Sequence, residues 1–566
     1  MDRIFPHLSR RRMITSAVGL AAASALPVPA WAKGSPQSLA AKGFGELSGE
    51  DIYLTIAEHH FAAGGRHGHA IAINGTIPGP LIRLKEGQDV RLHVTNRLGE
   101  DSSIHWHGLL LPFQFDGVPG VSFPGIRPGQ TFTYEFPIRQ SGTYWWHSHS
   151  GLQEQSGHYG PLIIESARPD PRYDRELVVL LSEFTPLHPH TIMRKLKVGD
   201  HYFNRQMLTA TERGLTGAER RTWGRMRMNP RDVADVSGSA YTYLVNGHGP
   251  DDGLELAFNP GERLRLRVIN GSAMSFFNVR IPGVPMVVIA ADGQDVDPVE
   301  IDEFQIGTAE TYDVIVAPPV GSHALVAEAV DRSGMGFASL TSQPGQVATP
   351  PALREVPTLT MVDMGMGEHA GHGGASMAHK MRDTSLLPAD VEVGPGLDMV
   401  SAMPIDRTDF PGIGLDKVEH RVLRYTDLKA QRPNPHRTVE REMEIHLTGN
   451  MERYMWSFDG RKYSAVTDSP IRFGFDERVR VKLVNDTMMA HPIHLHGHFV
   501  ELVNGADHMH QPLKHTLIVQ PGSSATFDLT ANEPGDWAFH CHLLYHMHAG
   551  MFQVVTVRPH ADDAAA

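Results

Sequence analysis

Three stretches of the chain alternate charged and aliphatic residues with a period of two: "EGQDVRLHVTNRL", "NPGERLRLRVINGS" and "GFDERVRVKLVNDT". Successive side chains of a strand face opposite ways, so the alternation predicts half-buried strands. Each stretch runs into an asparagine suited to a turn, Asn96, Asn270 or Asn485. Other short alternating runs, such as "KHTLIVQ", are separated by Pro-Gly turns. The pattern predicts an all-β chain of three sandwich domains, at 45–168, 169–350 and 415–562, with antiparallel sheets. Helix is expected to be minor, around 210–223, and 351–414 reads as a linker. Within that linker "MVDMGMGEHAGHGGASMAHKM", residues 361–381, sustains neither the helical nor the strand period and reads as a flexible loop.

The repeat carries chemistry in two of its three copies. His105 and His107 stand nine and eleven residues after Asn96, and His494 and His496 stand at the same distances after Asn485. A second phrase is also duplicated, with eighteen residues from Gly129 to His147 and eighteen from Gly522 to His540. The middle copy has no His-x-His at the corresponding places, so it is expected mainly to set the geometry of the other two. In an extended strand i and i+2 face the same side. The pairs His105/His107, His147/His149, His494/His496 and His540/His542 can therefore send eight imidazoles into one place, too many for one tetrahedral ion and suited to a cluster of three.

Cys541 is the only cysteine among 566 residues. Lying between His540 and His542 it must face away from their site, toward a second centre that His491 and His546 can complete. A thiolate, two imidazoles and a weak axial thioether from Met551 are the ligands of a blue-copper electron-transfer site. Carried back through the repeat, Cys541 falls on Ser148, His491 on Ser102, His546 on Gln153 and Met551 on His158. Only the third domain is expected to hold such a centre.

Composition narrows the partners. The start, "SRRRMITSAVGLAAASALPVPAWA", joins a basic patch to a short apolar run and a small-x-small cleavage signal. The Arg10-Arg11 pair resembles a twin-arginine export signal over 1–32, so the export machinery is an expected partner and the periplasm the expected location. Its removal takes away four arginines and Asp2, moving the formal charge from -13 to -16. An acidic chain without a basic block disfavours nucleic acid, and no run beyond the signal has membrane-spanning length. A single thiol excludes an internal disulfide and is protected if it binds metal.

"HWHG", "HSH", "HPIHLHGH" and "HCHLLYHMHAGM" resemble, in order, the four copper signatures of the multicopper oxidases. "LTGNMERYMWSFDGRKYS", "TAETYDVIVAPP" and the Met/His-rich segment are similar to the periplasmic copper-resistance branch of that family, the CopA type. The resemblance implies three cupredoxin-like domains and four copper ions. It implies type 1 copper on His491, Cys541, His546 and Met551, and type 2 copper on His105 and His494. It implies a type 3 pair on His107, His147, His149, His496, His540 and His542, between domains 1 and 3. The implied reaction takes four electrons from Cu(I) or another small reducing substrate and reduces dioxygen to two waters. A laccase-like phenol oxidase and a non-enzymatic copper store are the alternatives.

Other residues carry weaker expectations. Met361, Met364, Met366, His369, His372, Met377, His379 and Met381 offer soft donors for docking Cu(I). Asp116 and Glu154 lie near the motifs as possible supports for the ligands, although surface carboxylates are the plainer reading. Trp106, Trp145, Trp146 and Trp537 read as packing beside the sites. His59, His60, His67, His69, His188 and His190 read as exposed.

Overall fold

A computed structural model describes residues 45–559 apart from 169, 171, 210–215, 227 and 367–380. Strands fall into three groups, between Glu46 and Glu165, between Arg175 and Thr341, and between Arg441 and Arg558. Each group forms two sheets, of five and four strands in the first, six and five in the second, and seven and five in the third, where the larger sheet also takes in the short preceding strand Ile405–Asp406. The proposed signal segment 1–32 lies outside the described residues, and among these no helix is long and apolar enough to cross a membrane.

The three alternating stretches become the strands Asp89–Asn96, Leu264–Asn270 and Arg478–Asn485. Val90, Leu92 and Val94 are buried while the residues between them face outward, as period-two patterning requires. The terminal asparagines do the same job three times. Asn96 Nδ2 donates to Glu100 O and Ile126 O (2.8 and 2.7 Å), Asn270 Nδ2 to Ser275 O and Ile306 O (2.9 and 3.2 Å), and Asn485 Nδ2 to Met489 O and Val519 O (2.7 and 3.2 Å). Each Oδ1 accepts from the backbone N–H two residues on, the bond that closes an Asx turn.

The sheets are mixed, which corrects the antiparallel expectation. Asp51–Ala63 runs parallel to Asp89–Asn96, Arg175–Phe184 to Leu264–Asn270, and Arg441–Asn450 to Arg478–Asn485. The opposite sheet repeats the device, pairing Leu81–Lys85 with Tyr159–Glu165, Glu255–Ala257 with Met335–Thr341, and Ile471–Gly474 with Phe552–Arg558. Alternation reports which face is buried and is silent on strand direction, which long crossover connections set. Helix is minor: Pro189–Leu196, Gly217–Met226 and Leu544–Ala549 among the described residues. The helix expected around 210–223 begins later, and 210–215 are not among the described residues.

The register equates the three domains at the site. His105 pairs with His147 in the first and His494 with His540 in the third. In the second, the same positions are held by Val279 and Ala327. The fold is thus repeated with its metal-binding positions erased.

Candidate metal centres

The strand Gly535–Cys541 ends on the thiol, and the short helix Leu544–Ala549 brings His546 back onto it. Cys541 Sγ lies 3.5 Å from His491 Nδ1 and 3.9 Å from His546 Nδ1, and the two Nδ1 atoms are 3.3 Å apart. The outer nitrogens fix the protons: His546 Nε2 donates to Asp235 Oδ2 and His491 Nε2 to Thr487 Oγ1, both at 2.8 Å. Two bare lone pairs and a sulfur therefore face one another in a buried site. Donors about 3.5 Å apart are the corners of a triangle whose centre lies about 2.0 Å from each, the bond length of a first-row metal to imidazole. Burial raises the Cys541 thiol, so loading a cation there must expel its proton. Met551 is buried beside it, its carbonyl accepting from Cys541 N–H at 3.1 Å.

The eight paired histidines converge between the first and third sandwiches. His149, His496 and His540 form one cluster of donors, His105, His494 and His496 another, and His105, His107 and His147 a third. Outer oxygens again hold the Nδ1 protons. His105 Nδ1 donates to Asp116 O (2.8 Å), His494 Nδ1 to His515 O (2.6 Å), His496 Nδ1 to Asp116 Oδ2 (2.8 Å), and His540 Nδ1 to Cys541 O (2.9 Å). Nε2 of His105, His147, His494 and His542 is left buried without a partner. His496 Nε2 and His540 Nε2 face each other at 3.0 Å. His107 is turned the other way, its Nε2 toward His515 Nδ1 (3.2 Å) and Thr516 Oγ1 (3.3 Å), leaving Nδ1 as the orphan. Burial, reinforced by neighbouring imidazoles, holds His107, His147, His494, His496 and His542 well below the usual histidine range. Neutral, unpartnered, inward-facing lone pairs on this scale are the donor set of several copper ions, and together with the Cys541 triangle they match type 1, type 2 and type 3 centres.

Asp116 and Glu154 are not surface carboxylates. Both are buried: Asp116 reaches His496, and Glu154 Oε2 lies 2.8 Å from His147 Nδ1. Asp116 Oδ2 accepts from His496 Nδ1–H, which orients that imidazole and raises its basicity as a ligand, whereas His147 Nδ1 has Ser148 O as its hydrogen-bond acceptor at 3.1 Å and Glu154 stands beside it. Sequence reasoning also missed His515, which groups with His107 and His494, and Asp235 and Thr487 at the other centre. None of these has a motif to announce it. The tryptophans at the motifs are buried, Trp145 stacking on His147 with ring centroids 4.3 Å apart, and Trp456, not anticipated, stacking on His546 at 3.8 Å. Asp235, in the chain between the first two strands of the middle domain, Arg175–Phe184 and Thr242–Val245, shows that this domain supplies a working contact as well as spacing.

Domain 1 retains the frame of the thiol site with different side chains in it. Ser102 Oγ and Ser148 Oγ both donate to Gln153 Oε1, at 2.7 and 3.0 Å, so three of the four register-equivalent residues meet. The backbone repeats as well. Ser148 N–H donates to His158 O at 3.0 Å, as Cys541 N–H does to Met551 O at 3.1 Å. A hydrogen-bonded plug stands where the third domain has a thiol and two imidazoles.

The methionines of 361–381 are placed differently from expectation. Val362–Met364 is a 3-10 turn pinned by Asp363, which accepts from Thr360 N–H at 2.6 Å and pairs with Arg407 at 2.5 Å. Met364, Met366 and Met381 are buried in the core and Met361 packs against it. These four thioethers fill space; they are not displayed to solvent on a loop. His369, His372, Met377 and His379 lie outside the described residues. His59, His60, His67, His69, His188 and His190 are exposed, as expected.

Comparison with known proteins agrees with this geometry. Multicopper oxidase family profiles match residues 55–169, 196–344 and 436–561. The chain is 43% identical to copper resistance protein A of Escherichia coli, over 93% of this chain and 96% of that one. It is 44% identical to a copper resistance protein A homolog of Pseudomonas syringae pv. tomato, over 97% and 99%. Among solved structures it is similar in fold to Fet3p, a multicopper oxidase that functions in iron import. That likeness has a TM-score of 0.64 at 18% identity and covers 90% of each chain.

Proposed function

This chain belongs to the multicopper oxidase family, and from that premise we propose that it is a periplasmic oxidase of Cu(I) that serves copper detoxification. Four Cu(I), one dioxygen and four protons would give four Cu(II) and two waters. His491, Cys541, His546 and Met551 would hold type 1 copper, and His105 and His494 type 2 copper. His107, His147, His149, His496, His540 and His542 would hold the type 3 pair. Copper in these sites supplies one-electron transfer and dioxygen reduction, chemistry that side chains alone lack.

The observation that carries the reading is the tripeptide His540-Cys541-His542, whose outer members face the histidine cluster while the thiol faces the separate triangle. The two donor sets are covalent neighbours. The protein's own work is to hold them: Asp116 fixes the tautomers of His105 and His496, Asp235 that of His546, and the buried indoles keep water away. The choice of Cu(I) as donor rests on the relatives named for copper resistance and on the metal-binding character of the chain.

The test is oxygen uptake by the copper-loaded protein with Cu(I) and with a phenol, side by side, with free-copper controls. A higher kcat/KM for Cu(I) is expected; equal or better phenol turnover would make the enzyme laccase-like. Colourless Cu(I) binding without oxygen uptake would make it a store. Export through the twin-arginine route is tested separately. Arg10→Lys/Arg11→Lys should strand precursor in the cytoplasm, and normal periplasmic delivery would refute it.

A further inference from the structure

The hairpin Asp51–Ala63/Arg66–Ile73 runs past the sandwich it starts in. Ile52, Leu54 and Ile56 are buried, but from Glu58 to His60 the strand is exposed, and so are His67 and His69 on the returning strand. The pairing places Glu58 opposite Ile71, His60 opposite His69 and Ala62 opposite His67. Residues directly opposite each other share a face, and so do i and i+2. Glu58, His60, His67 and His69 therefore stand on one face of the overhang, while His59 stands on the other.

We propose that this face is a separate surface site for a divalent first-row transition ion, Cu(II) foremost, with His60, His67 and His69 as imidazole ligands and Glu58 as the carboxylate. The rings of His60 and His67 have centroids 6.0 Å apart and lie 28° from parallel. His147 and His149, inside the buried cluster, are also 6.0 Å apart. His69 Nε2 already lies 3.8 Å from Glu58 Oε2, with the side chains 56% and 68% exposed.

The backbone beneath these side chains is anchored. Arg66 Nη1 donates to Ala240 O at 2.6 Å, and Phe61 packs edge-on against Phe184 with centroids 5.0 Å apart. Only side-chain torsions need to adjust for the ligands to close on an ion. Three imidazoles and a carboxylate without thiolate or thioether favour Cu(II) over Cu(I), and copper over zinc among divalent ions. The site is independent of what the enzyme oxidises, because it needs only the divalent ion.

The experiment starts from protein already carrying its buried copper, desalted and then titrated with Cu(II) alone. Equilibrium dialysis with metal analysis counts bound ions, and electron paramagnetic resonance reads nitrogen coupling on the added one. One further Cu(II) per chain is expected. His60→Ala/His67→Ala/His69→Ala should lose it while keeping the blue band, which reports an intact fold. Loss of an outer partner alone weakens metal sites about 10–100-fold, so His67→Ala should weaken binding by at least about tenfold, and Glu58→Gln by less. His188→Ala/His190→Ala, an exposed pair with centroids 5.5 Å apart, is the control and should change nothing. The proposal is overturned if no further ion binds, if the triple variant still binds it, or if binding is lost with the control pair.

Discussion

At the scale of single residues, Cys541 decides most. Its thiol is raised by burial and faces two imidazole lone pairs, of which a single S–H can satisfy one and a cation both. Cys541→Ser should abolish the blue thiolate absorption and turnover, yet leave the histidine cluster loaded. Visible spectra and metal analysis check this, and a surviving blue band would refute the ligand assignment. The side chains that converge as donors were legible in the sequence because a strand turns spacing directly into direction, so His-x-His and the intervening cysteine declare their faces. Their supports were not legible: Asp116 lies 380 residues from His496, Asp235 lies 311 from His546, and His515 lies 408 from His107. Such pairs exist only once the domains are packed.

At the scale of elements, the Asn-terminated strand recurs with the same turn and the same neighbours, and its period-two pattern was readable in all three copies. Strand direction was not, because parallel and antiparallel partners bury the same alternating face. The linker methionines were misread for a related reason. Gly- and Met-rich composition suggests a mobile loop, whereas Met364, Met366 and Met381 are drawn into the core by contacts remote in sequence. The plugged thiol frame of domain 1 gives an element-scale prediction. Neither ring nitrogen of His158 has a partner, and burial lowers its pKa from 6.5 to about 3. Below pH about 6.5 the unfolded chain gains a proton there that the native chain refuses, so this residue costs stability on acidification and nothing above that pH. In metal-free protein, moving from pH 7.5 to 5 should destabilise wild type by about 2 kcal/mol relative to His158→Gln. Denaturant titrations at both pH values measure it, and a difference that does not change with pH would show that His158 can protonate in the fold.

At the scale of the molecule, the copper cluster joins the first and third domains, and the middle domain clamps the joint from behind. Lys514 is buried between two carboxylates of the middle domain, with Nζ 3.1 Å from Asp292 and 3.0 Å from Glu310. Burial alone would lower its pKa, but the two carboxylates more than reverse this and keep the ammonium charged. Asp292 also accepts from His515 N–H and Thr516 N–H, both at 3.1 Å, next to the side chains that face His107. One ion cluster thus ties domain packing to the orientation of His107, a proposed copper ligand. Lys514→Met would leave two carboxylates buried together without a cation. Breaking a buried ionic group in this way costs about 3–5 kcal/mol, and the backbone that Asp292 holds would loosen with it. The variant should unfold at lower denaturant and retain less copper in the histidine cluster, while the Cys541 site, held by other residues, keeps its colour. Lys514→Met/Glu310→Gln removes one of the stranded charges and should recover part of the loss, which separates electrostatics from mere change of side-chain shape. If Lys514→Met stays within about 0.5 kcal/mol of wild type, the range of ordinary surface changes, the clamp contributes nothing and the two copper-bearing domains hold themselves together.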